Sequence, residues 1–286
     1  MHTPVAVTCE ALKCAEQTTA DCLVPVGGGS TIGLSKAIAL RSELPQIAIP
    51  TTYAGSEMTP ILGQTEDGVK TTQRTMKVLP EVVIYDVDLT LTLPIALSVT
   101  SGINAMAHAV EALYAENRNP VISMLAEEGI RALYRTLDII SDRPSDINVR
   151  SDALFGAWLC GTSLGSVGMA LHHKLCHTLG GTFDLPHAET HTVLLPHVTA
   201  FNAVAVPELD VLGHKLNRTS LAVSISELAK RAGAPLSLAA IGMPKDGLDR
   251  AAELAVSNPY FNPRKFSQGD IRKLLENAFH GTPLEQ

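Results

Sequence analysis

Residues 21–26, Asp-Cys-Leu-Val-Pro-Val, form a short apolar run that meets Gly27-Gly28-Gly29-Ser30, and beyond it Leu34, Ala37, Ile38 and Leu40 recur at helical spacing. This pattern predicts strand, glycine turn and helix, and it constrains the fold more than any other stretch. A strand that passes so abruptly into a helix belongs to a parallel α/β sheet. The first N–H groups of such a helix lack intrahelical partners and carry the positive end of its dipole, so the turn suits an anion such as a pyrophosphate. Glycine turns of this kind also arise for steric reasons alone, and the pattern by itself leaves both readings open. Two further runs, Ile47-Ala48-Ile49-Pro50 and Val82-Val83-Ile84-Tyr85-Asp86, read as buried strands. The first leads into a small-residue loop that places the hydroxyls of Thr51, Thr52, Ser56 and Thr59 at a strand's carboxyl end. That edge is where open α/β sheets bind ligands.

From about Pro94 strand-like runs nearly vanish and helical periodicity takes over, with stops at Asn119-Pro120, Arg143-Pro144, Pro186, Pro207, Gly233-Ala234-Pro235 and Asn262-Pro263. The fold class expected is α/β: a partial doubly wound parallel-sheet nucleotide-binding domain over residues 1–97, followed by an all-helical catalytic domain over residues 98–286. The helix predicted around 101–115 carries Asn104, His108 and Glu111, four and three apart and therefore on one face. Its neighbours Ile103, Ala105, Met106, Ala107, Ala109 and Val110 are apolar, which predicts burial all round. Buried polar groups need partners.

Six of the ten histidines fall between 172 and 197. His173 and His177 share a helix face, while Gly180-Gly181 is expected to break that helix and return His187 toward it. Histidines gathered this way point to a metal site, acid–base chemistry or anion binding. His172, His191 and His197 are expected behind this group or at the surface.

A net charge of −7 without a basic stripe argues against nucleic-acid binding. Five cysteines, an odd number, and the lack of a secretory pattern suggest a reducing, cytoplasmic setting. No apolar stretch approaches the roughly 20 residues that span a bilayer, so no membrane is expected as a partner.

The Gly27–Ser30 turn, the loop Pro50-Thr51-Thr52-Tyr53-Ala54-Gly55-Ser56-Glu57, the segment from Ser101 to Glu111, and His173 to Gly180 with Leu185-Pro186-His187 resemble, in order, the defining stretches of the iron-containing alcohol dehydrogenase family. The resemblance covers nearly all of the chain from about residue 20. It implies an oxidoreductase using NADH or NADPH, with Gly27, Gly28, Gly29 and Ser30 on the cofactor pyrophosphate. Thr51, Thr52 and Ser56 would line the ribose and nicotinamide region, with Thr59 beside them and Lys70 near the cofactor. The family's metal ligands map onto Asn104, His108, His173 and His187, and His177 matches a histidine beside the substrate.

Where the family has an aspartate this chain has Asn104, a weak neutral ligand, and three imidazoles then lack the anionic oxygen that helps to hold a dication. The expected site is therefore metal-free; any metal would rest on His108, His173 and His187. The branch that shares Asn104, Tyr85-Asp86 and the His172-His173 pair reduces the carbon–carbon double bond of maleylacetate to give 3-oxoadipate, in the breakdown of aromatic compounds. That implies a small dicarboxylate substrate, bound and turned over by His108, His173, His177, His187 and Asn104, in a homodimer. A metal-dependent alcohol dehydrogenase and a truncated, inactive member are the alternatives. Family members carry an earlier strand and helix ahead of the glycine turn, so the adenosine side of the cofactor site is expected to be largely missing.

Overall fold

The computed structural model describes residues 3–66 and 69–284, with the side chains of residues 66, 69 and 70 outside the described set. A two-residue strand, β1 (Thr3–Pro4), and a helix, α1 (Val5–Gln17), precede the glycine turn, and the sequence reading anticipated neither. The strand into the turn, β2, is formally Val26–Gly27. Its ladder continues back through Pro25, because Ile47 N donates to Leu23 O at 2.9 Å and Ile49 N to Pro25 O at 2.9 Å. Pro25 has no N–H to return, which shortens the regular strand.

Helix α2 (Gly29–Ser42) follows directly and buries Ile32, Ala37 and Ala39. β3 (Ile47–Pro50) then pairs in parallel with β2, Val26 opposite Ile49. An unforeseen hairpin follows, β4 (Ile61–Glu66) and β5 (Val69–Arg74), antiparallel from Ile61 opposite Arg74, with β1 parallel to β4. β6 (Val82–Val83) pairs with β3, so the described parallel sheet runs β2-β3-β6.

The rest is helical: α3 (Ile95–Tyr114), α4 (Pro120–Asp142), α5 (Ile147–Ser166), α6 (Leu171–Phe183), α7 (His187–Ala203), α8 (Glu208–Asn217), α9 (Leu221–Arg231), α10 (Leu248–Val256) and α11 (Gln268–His280). Several predicted stops are helix starts. Asn119 caps α4 by accepting from Ile122 N at 3.1 Å, and Pro186 and Pro207 immediately precede α7 and α8. The expected break at Gly180-Gly181 does not occur, since α6 runs on to Phe183 and ends at Asp184 in the left-handed region, φ 53°. Interior glycine costs about 1 kcal/mol, which burial of Leu175 and Leu179 beside it offsets.

Two apolar cores meet in this part. One gathers Ile103, Met106, Val110, Leu133, Leu137 and Ile225 from α3, α4 and α9; the other gathers Leu175, Leu194, Leu248 and Leu275 from α6, α7, α10 and α11. α7 belongs to both, with Leu195 facing the first and Val198 the second. α3 is buried on nearly every side, as its composition predicts. The polar residues of α3, α6 and α7 therefore collect at the seam between the cores, opposite the glycine turn. Among the described residues no single helix is long and apolar enough to cross a membrane.

Candidate active site

A cavity of about 370 Å³ opens at that seam, with Gly28, Gly29, Ser30, Thr52, Ser56 and Thr59 on one side and Asn104, His108, His173, His177 and His187 on the other. Two predicted cofactor residues lie off it. Gly27 packs on Thr31, whose Oγ1 would stand 2.5 Å from an added Cβ, and its carbonyl accepts from Thr51 N at 3.1 Å. Gly27 and Thr51 thus hold the turn to β3 instead of lining the cavity. Lys70 falls where side chains lie outside the described set.

On the glycine wall, α2 starts at Gly29 with no side chain capping its free N–H groups. A Cβ on Gly28 would strike Thr52 Cγ2 at 2.9 Å, so the close approach of turn and loop requires glycine there. Uncapped N–H groups facing a cavity across glycine backbone fit a pyrophosphate.

Lys36, missed in the sequence reading, holds this wall together. Its buried Nζ donates to Ser56 O at 2.5 Å, Thr59 O at 2.7 Å and Ile61 O at 3.1 Å. Burial pushes its amine down to about 7, yet three carbonyls take three donors, which only the ammonium has. Its spacing of four from buried Ile32 was the available signal. Arg150 of α5 plays the same part deeper in. It is fully buried and donates to Tyr53 Oη at 3.0 Å, Ser98 Oγ at 2.7 Å, Leu93 O at 3.1 Å and Pro144 O at 2.7 Å.

The opposite side of the cavity is an imidazole wall. His108 is held well below the ordinary imidazole range by burial first and by His173 and His187 next. His108 and His173 rings lie 5.2 Å apart, and His173 and His177 6.1 Å. Asn104 Nδ2 points toward Ala54 O at a long 3.5 Å. Asn104 Oδ1, His108 Nδ1 and His173 Nε2 are buried and unpaired within the chain. Behind this wall His172 Nε2 and His191 Nδ1 meet at 2.9 Å, with Cys176 Sγ 3.5 Å from the former. Burial depresses both rings far below their ordinary range. The His191 and His187 rings lie 4.4 Å apart, tilted by 59°. His172, His191 and His197 all prove buried, so none is a surface residue.

The donors do not fit a dication. Asn104, His108, His173 and His187 bring no negative charge, and a hard or borderline cation is held best with anionic oxygen. Nor do the three imidazoles converge: among the described residues the group whose ligand atoms lie within 4.8 Å of one another is His172, Cys176 and His191. The nearest carboxylate, Glu111, is occupied, since it accepts from backbone N–H groups of α6 and from His173 Nδ1 at 2.7 Å.

Uncapped N–H groups at a glycine turn, facing polar side chains across one cavity, suit a dinucleotide-dependent oxidoreductase. Comparison with known proteins names the branch. The chain matches "Iron-containing alcohol dehydrogenase" over residues 1–87 and "Fe-containing alcohol dehydrogenase family, C-terminal" over residues 98–279, and it belongs to that family. It is 56% identical over 284 residues to the maleylacetate reductase of Sphingobium indicum, covering 99% of this chain and 81% of the relative. Identity to the maleylacetate reductase of a Rhizobium species is 58% over 285 residues, covering 100% and 81%. The crystal structure of maleylacetate reductase from Agrobacterium tumefaciens superposes with a TM-score of 0.94 at 59% identity, covering 98% and 80%.

Proposed function

We propose that this oxidoreductase reduces the carbon–carbon double bond of maleylacetate to give 3-oxoadipate, using NADH or NADPH and no metal. The observation that carries the reading is Asn104 beside His108, His173, His177 and His187 in one cavity, in a chain more than half identical to maleylacetate reductases.

Gly28, Gly29, Ser30, Thr52, Ser56 and Thr59 would hold the cofactor, and when bound it supplies the hydride that adds to the alkene carbon β to the ketone. The electron pair displaced from the double bond moves onto the ketone oxygen as an enolate. The imidazoles and the Asn104 amide offer hydrogen-bond donors to that oxygen and to the two carboxylates. The wall sets no negative charge against a dianion, and the dianion in turn favours protonated imidazole. One imidazole, or a water, delivers a proton to the carbon next to the ketone, which restores the carbonyl and completes 3-oxoadipate. Assembly as a homodimer is part of the same proposal.

Purified chain mixed with maleylacetate and NADH or NADPH is expected to consume the nicotinamide chromophore at an unchanged rate after exhaustive chelation. Loss of the rate on chelation, restored by iron or zinc, would return the site to metal-dependent alcohol chemistry; absence of turnover would remove the substrate assignment.

A further inference from the structure

Glu111 is fully buried on α3, and its two oxygens accept four N–H groups. Oε1 takes His172 N at 2.7 Å and His173 N at 3.3 Å, and Oε2 takes Ala170 N at 2.9 Å and His173 Nδ1 at 2.7 Å. The residue before α6, Ala170, has no side chain with which to cap it, so a carboxylate from another helix takes over that role. The positive end of the α6 dipole stabilises the buried charge. A cap needs only backbone donors, and the bond from Oε2 to the His173 ring goes beyond it. An ionised carboxylate only accepts, so Nδ1 carries the hydrogen, and Nε2, buried and unpaired beside the cavity, is the ring's second nitrogen.

We propose that Glu111 is a positioning residue for the reaction, fixing the tautomer and aim of His173. Asn104 and His108 stand seven and three residues before it on the same helix face. One rigid element therefore carries Asn104, His108 and the carboxylate that aims His173. The role rests on the reduction proposed above, and a mutation at such an orienting carboxylate typically costs about 10- to 100-fold in activity.

The test pairs spectroscopy with a double-mutant cycle. In wild-type protein labelled with 15N histidine, His173 is expected as the Nδ1–H tautomer. Glu111→Gln, which keeps one acceptor oxygen of two, should lower kcat about 10- to 100-fold with the KM for cofactor within about twofold, and Glu111→Asp should recover part of the loss. In a His173→Ala background the same Glu111→Gln change should cost less than about twofold, because the ring it acts through is gone. An Nε2–H tautomer in the wild type, or the same fold-loss in both backgrounds, overturns the proposal. If the chain proves inactive on maleylacetate, the substrate reading fails on its own, and the tautomer still decides the assignment of Glu111.

Discussion

An amide rather than a carboxylate at position 104 leaves the imidazole wall of the cavity without a negative charge. On the metal-free reading proposed above, the same change that weakens a dication's hold makes room for a dianion. Asn104→Asp is expected to gain metal affinity by about tenfold or more while losing most maleylacetate reduction; titration with zinc or iron followed by steady-state assay checks both, and unchanged affinity would separate the two effects. His173→Ala and His187→Ala should each lower kcat/KM by about 100-fold or more, whereas His197→Ala, off the cavity lining, should leave turnover per folded molecule within about threefold. The five polar residues of the imidazole wall were legible in the sequence because their chemistry travels with residue type and helical spacing. Glu111 was legible as a buried polar residue in need of partners, but its role was not, nor was Lys36 at all, because both depend on which carbonyls and N–H groups the fold brings to them: Ser56, Thr59 and Ile61 for Lys36, Ala170, His172 and His173 for Glu111.

Helix α5 meets the loop after β3 by close backbone packing of Gly161 on Gly55 and through the Arg150 guanidinium. Arg150 satisfies two carbonyls and two hydroxyls from three different stretches, and cutting it back takes a buried donor from each of them. Arg150→Met should destabilise the fold by about 3 kcal/mol or more, read as a lower urea midpoint at constant slope; a midpoint within error of wild type would mean the loop is held elsewhere. At this scale α3 was the easiest element to read, being apolar all round, and the β2-turn-α2 unit nearly as easy. The β4–β5 hairpin was not, because Val69-Lys70-Thr71-Thr72-Gln73-Arg74 lacks the apolar alternation that marks a strand. Gly180-Gly181 misled for a related reason: local breaker signals yield when the helix around them is packed into a core.

For the whole molecule, keeping so many imidazoles neutral and buried ties stability to pH. Burial holds His108, His172 and His191 well below their ordinary range and His197 at about 4. The unfolded chain takes up a proton on each near pH 6.5, and the native one does not, so acid favours the unfolded state. The stability is intact above about pH 7 and should fall by about 1 kcal/mol per buried ring between pH 6.5 and 5.5. Glu57, whose carboxyl is raised by burial, opposes this with one group against four. Urea midpoints at pH 7.5 and 5.5 measure the difference, and a flat profile would mean that the rings already share protons in the native state. The domain order read from the sequence rests on the change from strands to helices near Pro94, and the long α3 begins at Ile95.

The position of the transferred hydride tests the central claim most directly. With maleylacetate and nicotinamide cofactor deuterated at the transferring carbon, in chelated buffer, NMR of the product should place deuterium on the carbon β to an intact ketone in 3-oxoadipate. Deuterium on a carbinol carbon, with the double bond retained, would show carbonyl reduction and contradict the account.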